Sequence, residues 1–537
     1  ERWILRILHN AAGFMSSSKL FSDYISNSER VRDFYPTHFR DESSWQKVMS
    51  EVIGTERDYS ELAQILRRQN SDMGSGREAM ENIDRLAGDS AFTVVTGQQV
   101  GIFTGPLYTI YKAMTAVKLA RHLHGKYGAD FIPVFWMESN DHDLQEANHI
   151  SLLDSESELV KLEYVPEDYV PGCSMKDVSI DNGFHDLAVE LETRLPNTEF
   201  KKDIFDIIRE SYLPSQSLGS GFGRMMARIF GKYGLVLLDP SDPDVKSLMS
   251  LISRRDIESP LESMKIVNSA GERLKSRGYE SQIEKSWDST CLFIEESGVR
   301  RKLFFRDGRF GMDGSDASLD ADELLSILQT EPRRFSPNVA LRPVAQDYMM
   351  PTVAYVAGPG EISYFAQLRD LYAFLGVSMP IIYPRASITI IESKVERIME
   401  KNGLEVKDLS EQYNDLFSRL SRHTAGRKLE HLLESSKSEI SNIFERLASD
   451  LAEFDPGLKS IIESVRRKID HQINILEGRA YKAQRSRDDI LRNQIKRACM
   501  NIYPDGKPQE RVLNIVQYLV LYGLQFVDDV LSVIDLG

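Results

Sequence analysis

Cysteine is scarce in this chain. Its 537 residues include three, Cys173, Cys291 and Cys499, far apart and in no CxxC pair. That excludes a disulfide framework or a cysteine-based zinc module, and it fits a reducing, cytoplasmic compartment. No apolar run is long enough to span a bilayer, so no transmembrane helix is expected. No charged-then-apolar leader with a small-residue cleavage site is seen. The chain opens Glu1-Arg2-Trp3 without Met, so its natural start is expected further upstream. Positive charge is not in excess either. Lys and Arg number 66 against 81 Asp and Glu, a formal net charge of −15. Nonspecific binding to nucleic acid or an anionic membrane is thereby disfavoured, although a local basic pocket is still allowed. Internal repeats, low-complexity tracts, a Walker A loop, a GxGxxG fingerprint, a serine nucleophile elbow, a kinase set and a zinc-deaminase pattern are all missing.

What is present is globular: 42% hydrophobic and 27% charged residues, at a length that predicts two to four domains. Residues 1–90 read as polar helices with a loop at Ser71–Gly76. Residues 92–150 read β-α-β, with a strand at 92–96, a helix at 106–122 and a strand at 131–136. Residues 151–215 change to short strand-like pieces, such as Leu159 to Val165, and acidic loops; they are expected to be an insertion. Helix and strand resume at 219–239. Hairpin punctuation falls at Ser297-Gly298 and Asp307-Gly308, which predicts a β-hairpin insertion near 285–315. A further strand, glycine turn, helix and strand follow within 341–385. Alternation of this kind predicts an α/β fold with a doubly wound parallel sheet, its two halves in 1–150 and 216–391. Residues 392–537 read as helix. Leu458, Ile462, Val465, Ile469, Ile473 and Leu476 form a heptad-like stripe, with an antiparallel partner expected near 410–450 across Asp455-Pro456-Gly457. Such an arm either dimerises or packs within one chain.

Four places concentrate chemistry. The first is the loop from Thr96 to Pro106, with Gly97, Gly101 and Gly105 and the polar side chains of Thr96, Gln98, Gln99 and Thr104. A strand entering a helix through such a loop presents free N–H groups and a positive dipole end to an anion. A tight strand–helix turn explains the glycines equally well. Phe103 and Tyr108 join this candidate ligand-binding set, and Lys112 on the next helix is within reach of a phosphate or carboxylate. The second place is Glu138 to Asp143, where Asp141 and Asp143 flank His142. Carboxylates beside an imidazole suit acid/base work; an acidic helix N-terminus with an Asp cap is the plainer reading. Glu146 and His149 add ligand types nearby, but the spacing matches no standard metal site, so no metal is predicted. The third is Gly358-Pro-Gly-Glu361, with Tyr364 and Gln367 expected on the same helix face and Arg385 closing a later strand. Arg342 and Gln346-Asp347 lie upstream as a polar cluster. The fourth is the rigid turn Tyr503 to Arg511, which carries Lys507 and Arg511.

Four ordered segments carry a family likeness: TGQQVGIFTGPLYTIYKA, PVFWMESNDHDLQEANH, RPVAQDYMMPTVAYVAGPGEISYFAQL with YPRASIT, and IYPDGKPQERVLN. Together they span most of the chain, and it resembles the bacillithiol biosynthesis cysteine-adding enzymes, the BshC family. The resemblance implies a Rossmann-like core, an inserted connective-peptide domain and a C-terminal coiled coil that forms a homodimer. It also implies a likeness to class I aminoacyl-tRNA synthetases, and a ligase reaction that joins L-cysteine to glucosaminyl-malate through an amide. The family usually carries an acidic residue where this chain has Asn140, so acid/base duties are assigned to Asp141, His142 and Asp143.

Amide formation from a free carboxylate needs activation. By fold analogy the activating cosubstrate is expected to be ATP, with Lys112 and loop N–H groups steadying phosphate charge. His142 would move a proton or bind phosphate, and Arg385 would hold a substrate carboxylate. No KMSKS-like lysine motif is found. Two other readings stay open: a nucleotidylyl-transferring or ligase-type enzyme with another small acidic substrate, and a non-catalytic coiled-coil adaptor with a relict core.

Overall fold

The computed structural model describes residues 6–9, 18–54, 57–88, 90–411, 413–422, 426–453 and 455–536. The chain divides into two compact units. One is Ile7–Thr389 with Gln509–Gly537; the other is built on Ile390–Pro508.

The first unit centres on a five-stranded parallel sheet of β1 (Ala91–Gln99), β2 (Asp130–Glu138), β3 (Val236–Leu238), β4 (Thr352–Ala357) and β5 (Ile381–Pro384), in the order β5-β4-β1-β2-β3. These strands are apolar runs buried on both faces, as a sheet covered by helices requires. The chain builds outward from β1 through β2 to β3, then returns to the other side of β1 for β4. That reversal opens a crevice beyond the carboxyl ends of β1 and β4.

Helix α1 (Leu107–Tyr127) follows β1 and buries Leu107, Ile110, Met114 and Val117 completely. Pro106 stands just before it in extended conformation, and Gly128 at φ +72° closes it in the left-handed region. β1 runs three residues past the expected end. Gly97, read from sequence as a breaker, is a strand residue paired with Trp136. A Cβ there would lie 2.8 Å from the Trp136 carbonyl oxygen, so glycine is what lets the two strands stay together.

Helix α2 (Leu341–Met349) precedes β4, and α3 (Pro359–Phe365) follows it. The single helix expected beyond Gly358 is two, because the chain turns at Ala366–Leu368 before a short helix at Arg369–Phe374. Residues 289–337 form a five-stranded antiparallel sheet rather than one hairpin. Ser297-Gly298 and Asp307-Gly308 all have positive φ, the left-handed pair that a tight hairpin turn demands. Residues 149–163 make a separate antiparallel hairpin, and helices follow at Asn182–Arg194 and Lys201–Ser211.

In the second unit, α4 (Gly426–Ala452) and α5 (Leu458–Ile502) form an antiparallel helical hairpin. Lys437 pairs with Glu477 at 2.5 Å, and Arg466 donates to Ser441 at 2.8 Å. The sequence division grouped the helical arm and a closing apolar helix together in 392–537. By its contacts, the closing segment Gln509–Gly537 is part of the first unit, where α6 (Ile515–Tyr522) and a helix at Gln525–Val533 are parted by Gly523 at φ +71°.

Candidate active site

The crevice holds a cavity of about 420 Å³. Four strand ends contribute to it: Gly97, Gln98 and Gln99 of β1, Trp136 and Glu138 of β2, Gly358 to Glu361 after β4, and Arg385 after β5. Tyr108 and Lys112 enter from α1, Arg342 from α2, Tyr364 from α3 and Arg511 from the closing segment.

Lys112 is 3% exposed. Its ammonium donates to the Gly97 carbonyl at 2.7 Å and Gln98 Oε1 at 3.0 Å, and pairs with Glu361 Oε2 at 2.5 Å. Those three acceptors match its three protons. Burial pushes its pKa down, and the Glu361 carboxylate opposes the shift. Glu361 is satisfied in turn by the Tyr355 hydroxyl at 2.8 Å and the Gly358 N–H at 2.7 Å. It therefore serves as the capping residue of α3 and as the counter-ion of Lys112.

Arg385 and Glu510 are the second pair, 5% and 3% exposed, in a two-point contact at 3.0 and 2.6 Å. Glu510 also accepts from the Ile388 N–H at 3.3 Å. Arg342 donates to Gln346 at 3.1 Å, Tyr364 at 3.2 Å and Tyr355 at 3.4 Å. Its Nε lies 3.8 Å from Glu138 Oε2, beyond hydrogen-bond reach. Glu138 Oε2 accepts the Trp136 indole N–H at 2.9 Å. Burial raises the Glu138 pKa, against the pull of Arg342 and Arg300. Tyr108 is likewise raised by burial and drawn back by Arg385 and Arg511.

Of the residues singled out in the sequence, Gly97, Gln98, Gln99, Tyr108, Lys112, Glu138, Arg342, Gly358, Glu361, Tyr364, Arg385 and Arg511 line this cavity together. The others stand elsewhere. Thr96 is buried and donates to the Val356 carbonyl at 2.9 Å, tying β1 to β4. Gly101 and Gly105 pack against one another, and Phe103 is buried against Phe184 and Tyr212. Thr104 is buried at φ +75°. This loop is held by Asn514, which donates to the Phe103 and Gly105 carbonyls at 2.9 and 2.7 Å. The Leu107 N–H, first of α1, goes to the Leu513 carbonyl. The amide end expected to meet an anion is thus partly taken by the chain itself.

Asp141, His142 and Asp143 lie outside the cavity lining. Asp141 accepts the N–H groups of His142 and Asp143 and a bond from Gln99, while Asp143 caps the short helix Leu144–Ala147. His142 is exposed, its Nδ1 3.8 Å from Asp141. Asn140 is buried, its carbonyl accepting from Ser174. Gln367 is buried and clamps backbone at Val267, Gln282 and Ile283 rather than facing the site with Glu361. Lys507 is exposed and is not among the lining residues. Trp136 and Tyr355 were not singled out in the sequence, and Glu138 only opened the segment Glu138 to Asp143, with no role of its own. The carboxyl end of a parallel strand was the available signal for Glu138.

A Rossmann-like α/β unit with its cavity at the reversal of a parallel sheet, carried with a C-terminal helical hairpin, is the class of protein these features define. Residues 8–386 match the family described as bacillithiol biosynthesis BshC, N-terminal Rossmann-like domain, and residues 388–535 match the BshC C-terminal coiled-coil domain. Among similar proteins, one from Salinibacter ruber is 35% identical over 512 residues, covering 95% of this chain and 93% of its own length. Another, from Koribacter versatilis, is 33% identical over 515 residues, covering 95% and 94%. Both bear the name "Putative cysteine ligase BshC". The chain belongs to the bacillithiol biosynthesis BshC family.

Proposed function

We propose that this protein is a cysteine ligase of bacillithiol biosynthesis that joins the carboxyl group of L-cysteine to the amine of glucosaminyl-malate. The observation that carries the reading is the cavity at the carboxyl ends of β1, β2, β4 and β5. It is lined by charged and polar side chains, sized for small molecules and set where ligands enter doubly wound sheets. Family membership and the names of its relatives support the same reaction.

The residues present divide the work. Lys112 and Glu361 hold one another and fix the ends of β1 and α3. Arg385 and Glu510 do the same for β5 and the closing segment. Gln98, Tyr108, Tyr364, Glu138 and Arg511 are left to meet ligand. Three of the four lining cations face carboxylates within the site, and the Gly358 N–H is spent on Glu361. One cation in excess suits a carboxylate better than the phosphate chain of a nucleotide. We derive no step through ATP, whose part in activating the carboxyl is left to experiment.

We propose further that the helical arm joins two copies of the chain and that the enzyme works in the cytoplasm. The described helices include none long and apolar enough to cross a membrane.

The test is incubation of the protein with glucosaminyl-malate and L-cysteine, with and without ATP, read by mass spectrometry. A thiol-bearing amide product supports the reading, and ATP dependence identifies the activation route. Folded protein that yields no product in either condition would move the function to another small acidic substrate.

A further inference from the structure

Among the charged groups lining the cavity, two are left open. Glu138 Oε1 has no hydrogen bond among the described residues, while Oε2 is held by Trp136. Its side chain is 23% exposed, so the free oxygen has both access to the cavity and little water to replace a partner. Arg342 is no full partner for it: its terminal nitrogens are committed to Gln346, Tyr355 and Tyr364, and Nε stands at 3.8 Å. Arg511 is the complementary case. It is exposed, lines the cavity near Tyr108 and has no ion pair among the described residues. The other lining charges are matched: Lys112 by Glu361, Arg385 by Glu510, and Arg342 in part by Glu138 itself, through Oε2 at 3.8 Å.

A carboxylate with one oxygen free of hydrogen bonds and a guanidinium with no ion pair among the described residues, in one cavity, define a ligand with the opposite charges. We infer that Glu138 and Arg511 are the two poles of a site for a zwitterion, Glu138 receiving an ammonium group and Arg511 a carboxylate. This rests on the function proposed above, and it narrows how substrate is chosen. The burial that raises the Glu138 pKa is relieved when a cation arrives beside it. Tyr108, half-buried with its hydroxyl 3.5 Å from Gln98 Nε2, stands at the Arg511 pole as a neutral donor. L-cysteine and glucosaminyl-malate each carry an amine and a carboxylate, so either supplies this chemistry.

Isothermal titration separates them. The wild-type protein is titrated with glucosaminyl-malate and its N-acetylated form, and with L-cysteine, 3-mercaptopropionate and cysteamine. The same series is run on Glu138→Gln and Arg511→Gln. Glu138→Gln keeps shape and an acceptor for Trp136, and Arg511 is exposed, so the second variant tests the site even if the first fails to fold. A charge-assisted contact is worth roughly 10- to 100-fold in affinity. The zwitterion is therefore expected to bind about tenfold or more tighter than its amine-blocked analogue. Glu138→Gln should erase that preference, and Arg511→Gln should erase the preference over cysteamine or weaken glucosaminyl-malate about as much. Loss confined to the glucosaminyl-malate series assigns the poles to that substrate, and loss confined to the cysteine series assigns them to cysteine. Unchanged preferences in both variants would overturn the inference, even where the wild type forms product. A wild type that forms no product, yet shows these preferences, would keep the zwitterion site and overturn the proposed reaction.

Discussion

At Arg385 the burial of both partners decides the energetics. The guanidinium and the Glu510 carboxylate are almost sealed from water, so each depends on the other. Arg385→Met leaves Glu510 buried with only the Ile388 N–H, which is expected to cost about 3–5 kcal/mol. Urea unfolding should show the midpoint falling with the slope unchanged. Replacing Glu510 by Leu in the same protein should restore much of the loss. Asp256 gives a residue-scale prediction in pH. It is fully buried, accepts the Cys291 N–H at 3.0 Å, and burial lifts its pKa to about 6. A free Asp titrates near 3.9. Between those values the native state keeps a proton that the unfolded state has released. The stabilisation is complete below pH ~4 and is lost as pH rises through about 6, a swing on the order of 3 kcal/mol. Asp256→Asn should remove that swing, seen as a wild-type-minus-variant difference in urea stability that changes between pH 4.5 and 7.5. A constant difference would contradict it.

At the scale of elements, β1 with its following loop is where sequence and structure meet most closely. The strand–loop–helix order, the buried face of α1 and the turns at Ser297-Gly298 and Asp307-Gly308 were legible because each depends on local periodicity or on positive φ. What Gly97 does was not legible. A glycine that ends a strand and one that permits two strands to approach look alike until the neighbour, Trp136, is known. The roles of Asn514 and Glu510 were hidden for a similar reason: their partners lie some 400 and 125 residues away. The open state of Glu138 depends on where Arg342 spends its nitrogens, which spacing along the chain does not reveal. Gly97→Ala tests the element directly. The added methyl meets the Trp136 carbonyl, and overpacking of this kind costs about 1–3 kcal/mol. Because Lys112 bonds the Gly97 carbonyl, ligand affinity should fall alongside thermal stability. A variant as stable as wild type and with full affinity would show that the strands give way freely.

For the whole molecule, the helical arm raises the question of assembly. Leu458, Ile462, Ile469 and Ile473 of the expected stripe are half-buried within the hairpin, while Val465 and Leu476 stay 43% and 60% exposed. Leu432 and Leu447 on α4 are exposed as well, at 61% and 42%. Exposed apolar side chains on a helical pair favour a second copy. Sedimentation equilibrium should report a dimer, and Leu432→Glu with Leu476→Glu should shift it to monomer without loss of helix. A wild-type monomer at tens of micromolar would oppose that proposal.

The central claim is that the crevice beyond β1 and β4 is where the substrates are held. A crystal structure of the protein with glucosaminyl-malate bound tests it most directly. The account predicts ligand density in the 420 Å³ cavity, against Gln98, Tyr108, Glu138 and Arg511. Density seated instead on the exposed His142 loop, with the cavity filled by water, would contradict it.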